Sequence, residues 1–153
     1  MSAEARLKQL GIILPDLLTP KGTYLPRTIH NGVMNLSGQD PILENGDLAC
    51  GIVGRDFTLE QANGHARRTG LVLLSAARSI LDCLNRVEHV LNVFGMVNAA
   101  TDFIENLMVI NGCSDLMVEV FSEAGRHARA AVGMGTLPGR ISVEITTILA
   151  VKS

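Results

Sequence analysis

Apolar and polar residues follow two different periods along this chain, and the switches between them mark out the elements. Residues 3 to 10 (Ala-Glu-Ala-Arg-Leu-Lys-Gln-Leu) carry the spacing of a short amphipathic helix, closed by Gly11 and then Pro15. It reads as an appendage to the main fold. Leu25 to His30 and Val33 to Ser37 read as short strands, and Asn31-Gly32 between them is the dipeptide that a type I′ hairpin turn favours most. Gly38-Gln39-Asp40-Pro41 breaks the second strand, and Asn45-Gly46 marks another turn before a third strand over Leu48 to Val53.

Thr58 followed by Gln61 is a capping box, in which hydroxyl and amide each satisfy an orphan backbone N–H at a helix start. A long helix is predicted from there, with Ala62, Ala66, Gly70, Leu73, Ala77, Ile80 and Leu84 as its apolar stripe. Gly64 and Gly70 weaken it by about 1 kcal/mol each relative to Ala, unless close packing accounts for them. Val87 to Val97 is rich in branched residues and predicts a strand. Asn111 or Ser114 can cap a second helix carrying Leu116, Met117, Val120, Phe121 and Ala124, which Gly125 closes. Strands over Arg129 to Met134 and Ile141 to Val151, joined through Leu137-Pro138-Gly139, end the pattern. The predicted order is strand, strand, strand, helix, strand, helix, strand, strand, an α+β layout with helices on one face of a mixed sheet.

Composition narrows the setting. A length of 153 residues suits one compact domain. The 47% hydrophobic against 18% charged residues rule out a chain too polar to fold. With one Tyr, four Phe and no Trp the core must be aliphatic, and the apolar surplus suggests surface buried against other subunits. A net charge of −2, without a basic run or aromatics for stacking, argues against nucleic acid as a partner. The most apolar stretch, Leu71 to Ala77, is far short of the roughly 20 residues that span a bilayer, and Met1 to Arg6 has no signal-peptide pattern. No membrane partner is expected, and a cytoplasmic location is. Cys50, Cys83 and Cys113 are too widely spaced for a metal knuckle or a disulfide framework and read as buried thiols.

Two charged residues interrupt otherwise neutral strands. Alternation puts Arg129 on one face with Ala131 and Gly133, so the guanidinium stands beside small residues. That is what a carboxylate pocket needs; a solvated strand-end arginine and an interface salt bridge are the competing readings. In the last strand Ile141, Val143, Ile145, Thr147 and Leu149 form the buried face, which leaves Glu144 with Ser142 and Thr146 as a surface carboxylate. The four histidines are scattered, so no metal site is predicted. Ser37 lacks a nucleophile elbow, and Gly133-Met134-Gly135 precedes no helix, so it is no phosphate loop.

Tyr24 placed thirteen residues before Ser37-Gly38-Gln39, an Ala128-Arg129 strand opening about ten residues before Leu137-Pro138, and the final Val143-Glu144-Ile145 together resemble the RidA (YjgF) family. The resemblance covers about four-fifths of the chain, from Tyr24 onward. The longer amino terminus and the stretch from Asn111 to Phe121 resemble a longer-chain subgroup once labelled endoribonucleases. The family implies a chorismate-mutase-like fold: one domain over residues 1–153, with 1–20 as an N-terminal extension, assembled as a homotrimer with clefts between subunits. It implies hydrolysis of 2-imino acids, and of the enamines they arise from, to 2-oxo acids and ammonia, as in 2-iminobutanoate/2-iminopropanoate deaminases. Arg129 would then bind the substrate carboxylate and Glu144 would position or activate water. Tyr24 would close the pocket, Ser37 and Gly38 would line it, and Asn111 would contribute. No cofactor is implied, since a protonated imine is already electrophilic.

The chain departs from the family's pattern where Gly-Pro-Tyr reads Gly22-Thr23-Tyr24, at Ala131 where cysteine is common, and in a longer stretch from Leu43 to Arg55. Two alternatives stay open: a non-catalytic trimer that binds a small carboxylate such as a 2-oxo acid, and an endoribonuclease, for which no basic groove or acid/base pair is evident.

Overall fold

The computed structural model describes residues 1–153. The Asn31-Gly32 turn forms as its residues dictate, with both φ angles positive at 49° and 74°, and joins β1 (Arg27–His30) to β2 (Val33–Gln39) in an antiparallel hairpin. The first strand starts at Arg27, two residues later than predicted, because Pro26 has no N–H to give a ladder. With β3 (Val87–Asn98), β4 (Ala128–Met134) and β5 (Val143–Val151) the strands make one mixed sheet in the order β1-β2-β5-β3-β4. Every neighbouring pair is antiparallel except β3 and β4. A parallel pair needs a crossover, and helix α3 (Asn106–Phe121) fills it.

The capping box opens α2 (Leu59–Leu81): Thr58 Oγ1 accepts from the Gln61 amide at 3.2 Å, and the Thr58 amide donates to Gln61 Oε1 at 2.9 Å. Ala62, Ala66, Gly70, Leu73 and Ala77 are buried as the stripe predicts. The stripe ends early, since Asp82 turns left-handed at φ 61°, which leaves Ile80 40% exposed and Leu84 in a following 3₁₀ turn. Gly70 is explained by contact, because a Cβ there would sit 2.9 Å from Leu116 Cδ2 on α3. Nothing in the structure explains Gly64, which faces open space.

The structure corrects the predicted elements at several places. Leu48 to Val53 is no strand: the Ser142 amide bonds to Ala49, the Gly51 amide to Arg140 and the Val53 amide to Asn98, each at 2.8 Å. The first two bonds make one isolated bridge, Cys50 to Ile141, while Leu48 bridges Ile42 and Val53 bridges Ala99, so the segment makes single bridges and never one ladder. Helix α3 starts five residues before Asn111, with Glu105 at its cap and no side-chain cap bond, so Asn111 and Ser114 are mid-helix residues. Gly125 closes a 3₁₀ turn, Ser122–Gly125, because Ser122 at φ 56° has already ended the helix. The final strand also opens later than predicted, at Val143, after a 3₁₀ turn over Pro138–Arg140.

The amino-terminal helix α1 (Ala3–Gln9) is no loose appendage. Ala3 and Leu7 are buried in the 29-residue core, Glu4 accepts from the Leu84 amide at 3.0 Å, and Arg6 Nε donates to the Glu119 carbonyl at 3.0 Å. That core lies between α2, α3 and one face of the sheet, where Val143, Ile145, Thr147, Leu149 and Val151 of β5 are buried in strict alternation. Phe94, Met96, Ala130, Val132, Met134 and Ile148 alternate onto the other face and are all half-buried or exposed. Of the cysteines only Cys113 is buried, its thiol pushed up to about 12 by burial; Cys50 is exposed and Cys83 half-buried, which corrects the expectation for those two. No helix is long and apolar enough to cross a membrane.

Candidate functional site

Edge strand β4 carries Arg129, Ala131 and Gly133 on the face that α3 covers, so the predicted bare face has a helix lying over it. The half-buried guanidinium meets that helix through Nη1, which donates to Asn111 Oδ1 at 2.7 Å and to Ser114 Oγ at 3.1 Å. Ser114 Oγ is in turn 3.0 Å from His127 Nε2, and His127 Nδ1 is 2.6 Å from the Gly125 carbonyl. Burial lowers the His127 pKa, the Gly125 carbonyl opposes that, and Arg129 and His89 add to the lowering.

Glu144 lies on β5 and faces a cavity of about 300 Å³ that Lys21, Tyr24, Gly38, Asp40 and Gly139 also line. It is half-buried, where the strand pattern alone gave a surface carboxylate. Burial raises its pKa above the ordinary carboxylate value, and the negative charge of Asp40 raises it further. Asp40 is itself raised by burial, with Lys21 pulling the other way. Gly38 makes the carboxylate's place: a Cβ there would be 2.8 Å from Glu144 Cδ and 2.9 Å from Oε2. Tyr24 stands at the rim, 57% exposed. Ser37 is adjacent, but its hydroxyl donates to the Leu25 carbonyl at 2.6 Å.

The predicted residues thus fall into two groups, Arg129 with Asn111 and Glu144 with Tyr24 and Gly38. One chain does not bring them together. Arg129 pairs with Val93 and Glu144 with Met96, on opposite faces and two strands apart. Ordinary strand spacings put their Cα atoms about 14 Å apart. Sequence reasoning missed Asp40, Lys21, Ser114 and His127. Asp40 was absorbed into a Pro-containing strand break and Ser114 into a helix cap. His127, two residues before Arg129, carried the one available signal, since strand alternation puts the two on one side. No three His, Cys, Asp or Glu side chains converge to hold a metal ion.

Residues 4–145 match the family model described as "YjgF/chorismate mutase-like, putative endoribonuclease". Protein TCP17 of Trypanosoma cruzi is 35% identical over 146 residues, spanning 95% of this chain and 91% of that protein. Among solved structures, protein Atu1372 of Agrobacterium tumefaciens superposes with a TM-score of 0.89 at 38% identity, over 98% of this chain and 94% of that one. A protein of Shewanella oneidensis MR-1 described as a "putative endoribonuclease" superposes at 0.94 with 28% identity, over 99% of this chain and 100% of the other.

Proposed function

This chain belongs to the YjgF/RidA family, and from that footing we propose that it hydrolyses reactive 2-imino acids and their enamine tautomers to 2-oxo acids and ammonia. The observation that carries the reading is a pair of complementary half-sites. One is an arginine with Nη1 tied to Asn111 and Ser114 and its other nitrogens free of protein acceptors; the other is a carboxyl with a raised pKa in a cavity. The reading includes a homotrimer in which Arg129 of one subunit meets Glu144 of the next. The sheet face without helices supports it, since Phe94, Met96, Val132, Met134 and Ile148 supply apolar surface for a partner.

In the proposed reaction Arg129 grips the carboxylate of the protonated imine and fixes the imine carbon beside Glu144. Ionised Glu144 takes a proton from water as the water oxygen bonds to that carbon and the C=N π electrons pass to nitrogen. The resulting carbinolamine takes the proton back from Glu144 on nitrogen, the C–N bond breaks with its electrons leaving on ammonia, and the hydroxyl oxygen closes the C=O. The hydroxyl proton ends on ammonia, so one water is consumed and one ammonium released. A group that must accept and then return a proton works best with a pKa near working pH, which is the direction in which Glu144 is moved. Tyr24 at the rim covers the bound substrate.

The test measures ammonia release from an imino acid generated in situ by an amino-acid oxidase. Wild type accelerates it, and Arg129→Ala loses about 100-fold in kcat/KM, the value of two charge-assisted hydrogen bonds. Equal rates in the two proteins discard the assignment. Binding of a 2-oxo acid without acceleration favours the non-catalytic carboxylate binder, and RNA cleavage abolished by the same substitution favours the endoribonuclease of the family description.

A further inference from the structure

The hydrogen bonds around Arg129 have a direction. The Gly125 carbonyl can only accept, so His127 Nδ1, 2.6 Å away, carries the proton. In the neutral ring Nε2 is then an acceptor, and Ser114 Oγ at 3.0 Å donates its one proton to it. That orientation aims the Ser114 lone pairs at Arg129 Nη1, 3.1 Å away, while Asn111 Oδ1 takes the second Nη1 hydrogen at 2.7 Å. Both Nη1 hydrogens are therefore committed. Nε and Nη2 donate to no protein acceptor, and their N–H bonds run parallel along one edge of the guanidinium, the spacing that the two oxygens of a carboxylate match.

We propose that His127 is a positioning residue which, through Ser114, holds Arg129 so that its Nε–Nη2 edge faces the substrate and selects planar two-oxygen anions, 2-imino and 2-oxo carboxylates. The proposal rests on the reading that Arg129 binds the substrate carboxylate and adds what sets the angle of that grip. Without an acceptor at His127, the Ser114 hydroxyl is free to turn back to the carbonyl four residues earlier in α3, as mid-helix serines do. Nη1 then keeps one anchor instead of two, and the guanidinium can rotate about the Asn111 contact. The groups that act on the ring are Arg129 from β4 and His89 from β3, which with burial lower its pKa, and the Gly125 carbonyl, which opposes them; no carboxylate is among them, and burial leads, so the neutral ring required here is the one the surroundings favour.

The experiment compares His127→Phe, a ring without an acceptor, with His127→Gln, whose Oε1 can accept from Ser114, and with Ser114→Ala, which removes the link from the other side. Each is assayed with a 2-imino acid and with a carboxylate-free imine generated by an amine oxidase. His127→Phe and Ser114→Ala are expected to raise KM for the imino acid about tenfold, the value of one hydrogen bond to a charged group, with kcat within about twofold. His127→Gln is expected to restore most of that loss, and no variant to change KM for the carboxylate-free imine. An unchanged KM in Ser114→Ala, or an equal rise for both imines, overturns the proposal. If Arg129→Ala raises KM for the imino acid and the two link-breaking variants do not, the positioning role alone falls; if Arg129→Ala leaves KM unchanged, the carboxylate reading falls with it.

Discussion

Arg129 and Glu144 stand out in the sequence as charges inside otherwise neutral strands, although the pattern alone gave Glu144 as a surface carboxylate and its site role came from the family resemblance; Asp40 did not stand out, since its neighbour Pro41 made the whole stretch read as a break. Its part emerges only when residues 18–24 fold over the end of β2 and close a cavity around both carboxyls. In the proposed reaction Glu144 acts as a base when ionised, so the rate is expected to rise with pH as it deprotonates, and its raised pKa puts that rise at higher pH than an ordinary glutamate would. Asp40→Asn removes one of the two causes of the shift. Glu144 then ionises earlier, and the acid limb of the log kcat/KM profile is expected to move to lower pH; a limb that stays in place means the two carboxyls do not interact. Gly38 offers a second check. Its φ is not positive, so alanine fits the backbone, but the added methyl would displace the Glu144 carboxylate that lies 2.8 Å away. Gly38→Ala is expected to lower kcat by about 100-fold, the cost of misplacing a catalytic group by about 1 Å, with the urea midpoint close to that of wild type.

Helix boundaries were legible where they are written in side chains and illegible where they are not. Thr58 and Gln61 announce α2 because the cap is made by those two side chains; α3 begins after Glu105, which makes no cap bond, so the eye moves on to Asn111 and Ser114. Those two polar residues are mid-helix because their side chains serve Arg129, a tertiary use that local propensity does not encode. The same contrast separates the α2 and α3 glycines. Gly64 borders open space, so Gly64→Ala is expected to stabilise the protein by about 0.5–1 kcal/mol through helix propensity. Gly112 faces α2 so closely that a Cβ would overlap the Asn63 carbonyl oxygen, which as backbone cannot swing aside. Gly112→Ala is expected to destabilise by about 1–3 kcal/mol or more, as overpacking does. Urea unfolding of the pair reads both signs, and a shared sign would mean that the α2–α3 contact is looser than described.

At the scale of the whole molecule, the proposed trimer would account for both the apolar surplus in the composition and the helix-free sheet face, and it gives the two half-sites a way to meet. Because they lie on opposite faces of one chain and are separated by β3, the proposed site must take Arg129 and Glu144 from different subunits. That arrangement has a consequence which a site built within one chain lacks. Arg129→Ala and Glu144→Gln subunits, each inactive alone, are unfolded together, mixed in equal amounts and refolded. In a cyclic trimer every cleft then draws its arginine and its glutamate independently, so about one quarter of clefts receive both native residues by random assortment. Ammonia release is expected to recover to about one quarter of the wild-type rate, on a species whose light-scattering mass is three chains. If both residues came from one subunit, no mixed trimer could hold an intact site and the mixture would stay as inactive as its parents. Val132→Glu separates assembly from chemistry, since Val132 shares a row with Met96 and Glu144 on the face opposite the helices. A charge there is expected to leave the circular dichroism of the fold intact while reducing the mass to one chain and abolishing turnover, because half-sites on separate molecules cannot act on one substrate.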